Sequence, residues 1–267
     1  MTIVRTARRL GAVLVLLGFA AATPAQAQPA PRPAVDAALL DDLAAASRIL
    51  ADLGVLDGFG HVTLRHPNDP NRFLMSRSLA PALVTPDDIM EFDLDGNAID
   101  ARGRAVFLER FIHGEIYRAR PDVNAVVHSH SPGVIPFGVS QTPLRPLYHN
   151  PAFLGAGVRV FDIRAVAGDT DMLVRNAALG KALAQTLADK PVALMRGHGS
   201  VAVGPSVQAA TFRAYYTEVN ARLQAQAIGL GGPVTYLTPE ESAKADATNM
   251  QVLGRVWDLW KRKVSAK

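Results

Sequence analysis

The chain contains no cysteine. Disulfides take no part in holding it together, and any metal site has to be built from nitrogen and oxygen donors. An excess of one charge is also missing. Lys and Arg number 28 against 24 Asp and Glu, and three of those arginines, Arg5, Arg8 and Arg9, stand in the first ten residues, leaving 25 against 24 beyond them. A chain so close to neutral has no electrostatic reason to seek nucleic acid. Internal repeats are absent, and the one long apolar run, residues 10–22, is too short to cross a hydrocarbon core of about 30 Å as a helix.

That run reads as part of an address. Three arginines precede it, and Ala25-Gln26-Ala27 offers the small-x-small pattern that a signal peptidase cuts before Gln28. Residues 1–27 are therefore expected to be a signal peptide, the mature protein to be periplasmic or secreted, and no stable membrane association to remain after cleavage. Pro29, Pro31 and Pro33 make residues 28–35 a stiff, extended leader. Residues 36–267 are numerous enough to bury one sizeable core as a single domain.

Periodicity lays out the elements. Over 36–53 apolar residues recur at helical spacing (Leu39, Leu43, Ala46, Leu50, Leu53), and Gly54 comes next as a stop. Residues 61–65 alternate as a half-buried strand, and the turn chemistry of 67–71 leads to a second strand over 72–75, the two forming a hairpin. A third strand over 89–94 ends at Asp95-Gly96, a tight reversal into Ala98-Ile99. A helix is predicted over 107–118 with Leu108, Phe111, Ile112 and Ile116 inward, closed at Arg120-Pro121. Apolar strands come next over 124–130, 191–195 and 201–203, then helices over 207–228 and 240–263, the last carrying Trp257 and Trp260 near one face. Interleaved helices and strands joined by short turns predict an α/β fold whose central sheet is mixed and mainly antiparallel, flanked by helices.

Histidine carries the chemistry. Side chains two apart on a strand leave the same face about 6.5–7 Å apart along the backbone, so His128 and His130 are placed to converge on one ion. His198 comes after another apolar strand and lies between Gly197 and Gly199, which let the backbone come close to a site. Glu109, near the start of the predicted helix, gains from the helix N-terminal charge and supplies a carboxylate able to ligate or to act as a base.

The stretch Glu109-Arg110-Phe111-Ile112-His113, running on through Arg120-Pro121-Asp122-Val123-Asn124-Ala125-Val126-Val127-His128-Ser129-His130, resembles the class II aldolase/adducin family, and so does the later Gly197-His198-Gly199. The resemblance spans the mature chain from Gly58-Phe59-Gly60 to the last helices. It implies a three-layer α/β/α fold, a divalent metal on His128, His130 and His198, Glu109 as catalytic acid/base, and a homotetramer with active sites between subunits; His113, four residues after Glu109 and so on the same face of the predicted helix, is expected to support the site. Three imidazoles and a carboxylate suit zinc first, with manganese, iron or cobalt as alternatives.

Sugar-phosphate aldolases of that family cradle phosphate with small hydroxyl and amide side chains, and this chain departs from them. It has Gly60-His61-Val62-Thr63, Met75-Ser76-Arg77-Ser78-Leu79-Ala80-Pro81, and Phe107-Leu108 before the glutamate. The Ser-Arg-Ser-x-Ala-Pro turn instead resembles the branch of decarboxylases that act on hydroxylated aromatic dicarboxylates. The expected activity is a metal-dependent carbon-carbon lyase, decarboxylase-like, on an unphosphorylated hydroxy-carboxylate. Arg77 would fork onto a substrate carboxylate, with Ser76, Ser78, His61, Tyr148 and His149 as further substrate-binding candidates. The alternatives are an aldolase on a small hydroxy-keto acid, a metal-dependent oxygenase, or a non-catalytic adducin-like binding module.

Overall fold

Seven strands form one sheet in the order β3-β2-β1-β4-β7-β6-β5, antiparallel at every pairing except β5 with β6. The computed structural model describes residues 34–266, so the expected signal segment and all but the end of the expected proline-containing leader lie outside the described residues. In chain order the elements are α1 (Ala37–Asp52), β1 (His61–Arg65), β2 (Arg72–Ser76), β3 (Ile89–Asp93), α2 (Phe111–Ala119), β4 (Ala125–Ser129) and the short α3 (Ile135–Val139). Then come β5 (Arg159–Phe161), the single turn α4 (Arg164–Ala167), α5 (Ala177–Leu187), β6 (Val192–Met195), β7 (Gly199–Gly204), α6 (Val207–Gly229), α7 (Pro239–Gln251) and α8 (Leu253–Ser265). No helix among the described residues is long and apolar enough to cross a membrane.

Strand alternation builds two cores, one on each face of the sheet. Val62, Leu64, Leu74, Ala125, Val127, Leu194 and Ala202 point one way, against Leu43 and Leu50 of α1, Ala210 and Phe212 of α6, and Trp257 and Trp260 of α8. Phe73, Met75, Phe92, Val126, Val201 and Val203 point the other way, against Ile112 and Ile116 of α2 and Leu179, Leu183 and Leu187 of α5. This is the three-layer α/β/α arrangement, and each buried leucine in it contributes roughly 1.5–3 kcal/mol. Asp36 caps α1 by accepting from the Ala38 amide, and the 61–65 and 72–76 strands pair as the expected hairpin, Thr63 opposite Met75.

Three expectations need correction. The helix predicted from 107 begins only at Phe111, so Glu109 and Arg110 lie in the turn before it. Arg110 is tied to the Gly96 and Phe107 carbonyls there, and Leu108, expected inward, is 57% exposed. The predicted 240–263 helix is two helices broken at Val252, because α7 packs on the turn at Ala152–Ala156 while α8 turns its tryptophans into the core beside α1. Strand β5 and helix α5 were not anticipated at all. Helix α5 starts at an Asn176 cap and crosses α2 so closely that a Cβ on Gly180 would run into the Phe111 carbonyl oxygen. Gly180→Ala should therefore cost about 1–3 kcal/mol and lower the thermal midpoint by at least about 2 °C in a melt followed by circular dichroism.

Candidate metal centre

Strand β4 delivers two imidazoles to the face covered by α2. His128 is fully buried, His130 lies just past the strand end and partly exposed, and their Nε2 atoms stand 3.2 Å apart. His198 comes from the β6–β7 turn, brought alongside because β7 pairs with β4 and sets Ser200 opposite Ser129. Its Nε2 is 3.0 Å from that of His130. Gly199 permits the approach, since a Cβ there would meet the Ser129 carbonyl oxygen. Glu109 completes the group, with Oε2 3.5 Å from His128 Nε2 and 3.4 Å from His198 Nε2.

Each of three members is held from behind. His128 donates from Nδ1 to the Ser200 carbonyl at 3.1 Å, His198 donates from Nδ1 to the Met172 carbonyl at 2.9 Å, and Glu109 Oε1 accepts the Val174 amide at 2.8 Å. A proton fixed on Nδ1 leaves the Nε2 lone pair free, and these lone pairs are what converge. Lone pairs facing each other at this range repel unless a cation sits among them. One ligand atom from each of the four residues falls within 4.8 Å of all the others, an N3O donor set that fits a divalent cation.

Burial pushes the Glu109 carboxyl up, but hydrogen bonding and charge from His128 and His198 outweigh it and hold the group well below the usual carboxylate range. Burial pulls His198 down, yet Glu109 reverses this and the imidazole ends above its ordinary value. Burial first, then His128 and His198, lower His130 to about 4, so it is neutral and available as a donor near pH 7.

The cluster opens on a cavity of about 520 Å³, reached by Glu109 and His130 and walled by Phe59, His61, Ser78, Leu79, Phe107, Leu108 and Leu173. Among the substrate-binding candidates, His61 and Ser78 line this space. Arg77 is not part of this lining: its Nε is engaged with Asp88 Oδ1 at 2.6 Å and its amide with the Asp88 carbonyl. Ser76 is buried at the end of β2 and is not part of the cavity lining. Tyr148 and His149 are not brought to it either. His149 lines a separate groove with Tyr216 and Asn249, and its carbonyl accepts from the Asn249 amide. His113 does not support a ligand but bonds to His61 and Thr63.

Sequence reasoning missed residues 172–174, which anchor His198 through the Met172 carbonyl and Glu109 through the Val174 amide and put Leu173 in the wall. They act mainly through backbone, which no residue letter records. The one signal was turn chemistry: Thr170 Oγ1 and Asp171 Oδ1 accept the next-but-one amides, and Met172 takes a left-handed φ of 69°.

The model of the class II aldolase and adducin N-terminal domain matches residues 41–225. Decarboxylase tropJ of Talaromyces stipitatus is 37% identical over 234 residues, covering 79% of this chain and 88% of the relative. The 3,4-dihydroxyphthalate decarboxylase of Arthrobacter keyseri is 33% identical over 230 residues, with the same coverage of 79% and 88%. Among solved structures, an aldolase II superfamily protein from Pseudomonas syringae superposes with a TM-score of 0.74 at 22% identity, over 88% of this chain and 95% of its own. The matched motifs, the sheet and the cluster at its centre agree, and the chain belongs to the class II aldolase and adducin N-terminal domain family.

Proposed function

We propose that this protein is an exported, metal-dependent carbon-carbon lyase that removes carbon dioxide from an unphosphorylated, hydroxylated aromatic carboxylate. The observation that carries the reading is the N3O cluster of Glu109, His128, His130 and His198 at the edge of a cavity walled by Phe59, Phe107, Leu108 and Leu173. Apolar walls of this kind suit a flat ring and offer no cradle for a phosphate, and the decarboxylase relatives support the same substrate class.

His128, His130 and His198 would hold the ion, zinc being the first candidate and manganese, iron or cobalt the others. When bound, a divalent ion supplies Lewis acidity to adjacent substrate oxygens and stabilises the charge left as a carbon-carbon bond breaks. In this reading Glu109 acts first as a base, taking the proton of a substrate hydroxyl. As the carboxyl carbon leaves as carbon dioxide, the bonding pair stays on the ring carbon, and Glu109 returns its proton there. Its anchor on Val174 holds Oε1, while Oε2 lies toward the imidazoles of His128 and His198.

The segment 1–27 belongs to the same proposal as a cleaved signal peptide delivering a periplasmic or secreted enzyme, and a homotetramer is the assembly proposed for it. The test is a screen of hydroxylated aromatic mono- and dicarboxylates on protein exported from full-length chain. Expected are carbon dioxide release from at least one dihydroxyphthalate, loss of turnover on chelation with recovery on adding metal, and Gln28 as the first residue by intact mass. Release of an aldehyde from hydroxy-keto acids, or oxygen uptake with iron, would replace this reading with an aldolase or an oxygenase.

A further inference from the structure

The rim of the cavity is apolar and uncovered. Phe59 is 68% exposed and Leu108 57% exposed, yet both line the same space as Glu109. Neither belongs to a loose end. The Phe59 amide donates to Asp57 Oδ1 at 2.8 Å, and Gly60, with a left-handed φ of 82°, lies so close to β4 that a Cβ on it would meet the His128 carbonyl oxygen. Leu108 stands between Phe107, whose carbonyl accepts from Arg110, and Glu109, which the Val174 amide holds. These turns present the two side chains outward at fixed positions beside the cluster. The Phe59 ring centre is 6.2 Å from that of His130, and Leu108 is the chain neighbour of Glu109. Single exposed apolar residues are ordinary, but two that border one concave site mark a surface that a ligand covers.

Size and charge narrow the kind of ligand. The volume of about 520 Å³ lies within the range of roughly 300–1,000 Å³ that encloses drug-sized molecules, and one ring with its carboxyl and hydroxyl groups leaves much of it unfilled. Among the described residues that line it there is no lysine or arginine, and Glu109 is the one carboxylate. A charged group held away from the cluster therefore finds no counter-charge, whereas hydrocarbon finds Phe59, Leu79, Leu108 and Leu173. Rim and interior are one cavity, so a second chain laid over Phe59 and Leu108 would also have to fill the space before Glu109.

We propose that the substrate carries an apolar arm, an alkyl chain or a further ring, on its hydroxylated aromatic acid, and that Phe59 and Leu108 bind this arm where it leaves the cavity. The proposal rests on the aromatic-acid reading given above and adds the part of the molecule that does not react. Phe59 and Leu108 are then specificity-determining residues, and each methylene laid against them is worth about fourfold in affinity. An unsubstituted dihydroxyphthalate is accepted at the cluster but draws nothing from the rim. Contacts to an arm of this kind also help to hold the carboxyl group where it reacts.

The test is calorimetric titration of the zinc-loaded protein with salicylate and with its 4-, 5- and 6-pentyl derivatives. The best pentyl derivative should bind at least about thirtyfold tighter than salicylate, and in Phe59→Ser/Leu108→Ser that ratio should fall to about threefold or less. Both positions are exposed, so the fold should survive, and a melt checks it. Leu108→Ser alone, which should lower the ratio at least about threefold, keeps the test readable if the double variant folds poorly. Salicylate bound with no gain from a pentyl group overturns the arm and leaves the aromatic-acid reading standing. A gain that survives both substitutions overturns the assignment to Phe59 and Leu108. Failure of all four acids to bind overturns the aromatic-acid reading and the arm with it. Light scattering on parent and variant decides against the other occupant: a fall in assembly mass on substitution would give the rim to a second copy of the chain and overturn the proposal.

Discussion

A protein carrying His128→Ala and His198→Ala together should lose at least about nine-tenths of its metal on purification and at least about a thousandfold of its turnover, because a Lewis acid is worth several kcal/mol to the transition state. The two residues reach the ion from different strands, and each is pinned by a backbone carbonyl, Ser200 for one and Met172 for the other. Removing both leaves His130 and Glu109, a pair too sparse to retain an ion against dilution. Elemental analysis of the purified protein is the measurement, with a melt run beside it because His128 is fully buried and alanine leaves a void there. His198→Ala alone, at a less enclosed position, keeps the test readable should the double variant fold poorly. Metal content unchanged from the parent would leave the proposed chemistry without a seat.

Glu109→Gln should do the opposite to the two readouts. The amide is nearly the same shape, its oxygen still accepts from the Val174 amide, and the three imidazoles are untouched, so metal should stay within about twofold of the parent. Turnover should fall by about 10²–10⁴, the usual contribution of a positioned acid/base. The split between the readouts is the point of the experiment. Metal lost in step with activity would make Glu109 chiefly a fourth ligand, whereas metal and activity both retained would remove it from the mechanism. Glu109→Asp adds a check, since a side chain one methylene shorter cannot both reach Val174 and hold its second oxygen 3.4–3.5 Å from the imidazoles.

Much of the layout was legible because it stems from side-chain periodicity. Strand parity put His128 and His130 on one side, and the structure has their Nε2 atoms facing each other. The flanking glycines of His198 marked a close backbone approach, and Gly199 sits against the Ser129 carbonyl. The short turns implied antiparallel neighbours, and six strands are laid that way. What could not be read was whatever depends on partners far away in the chain. Arg77 looks like a free cation until Asp88 folds onto it. Glu109 looks like a helical residue until the Val174 amide and the Arg110 tether hold the turn open ahead of Phe111. Tyr148 and His149 read like a site pair but face Tyr216 and Asn249. Helix α5 was the avoidable omission, since Leu179, Leu183 and Leu187 recur at helical spacing after a capping Asn176.

The pairing of β4 with β7 has a consequence for how the ion is acquired. Val126 meets Val203, His128 meets Val201 and Ser129 meets Ser200 in a ladder whose inward side chains are already part of a filled interior. The ladder fixes His128 and brings the turn that carries His198 alongside it, so on the proposed reading little ordering is left for these two ligands when a cation arrives. Unlike a small finger that collapses when stripped, a domain with this filled interior should keep its fold when the proposed ion is chelated away, which a melt with and without chelator would check.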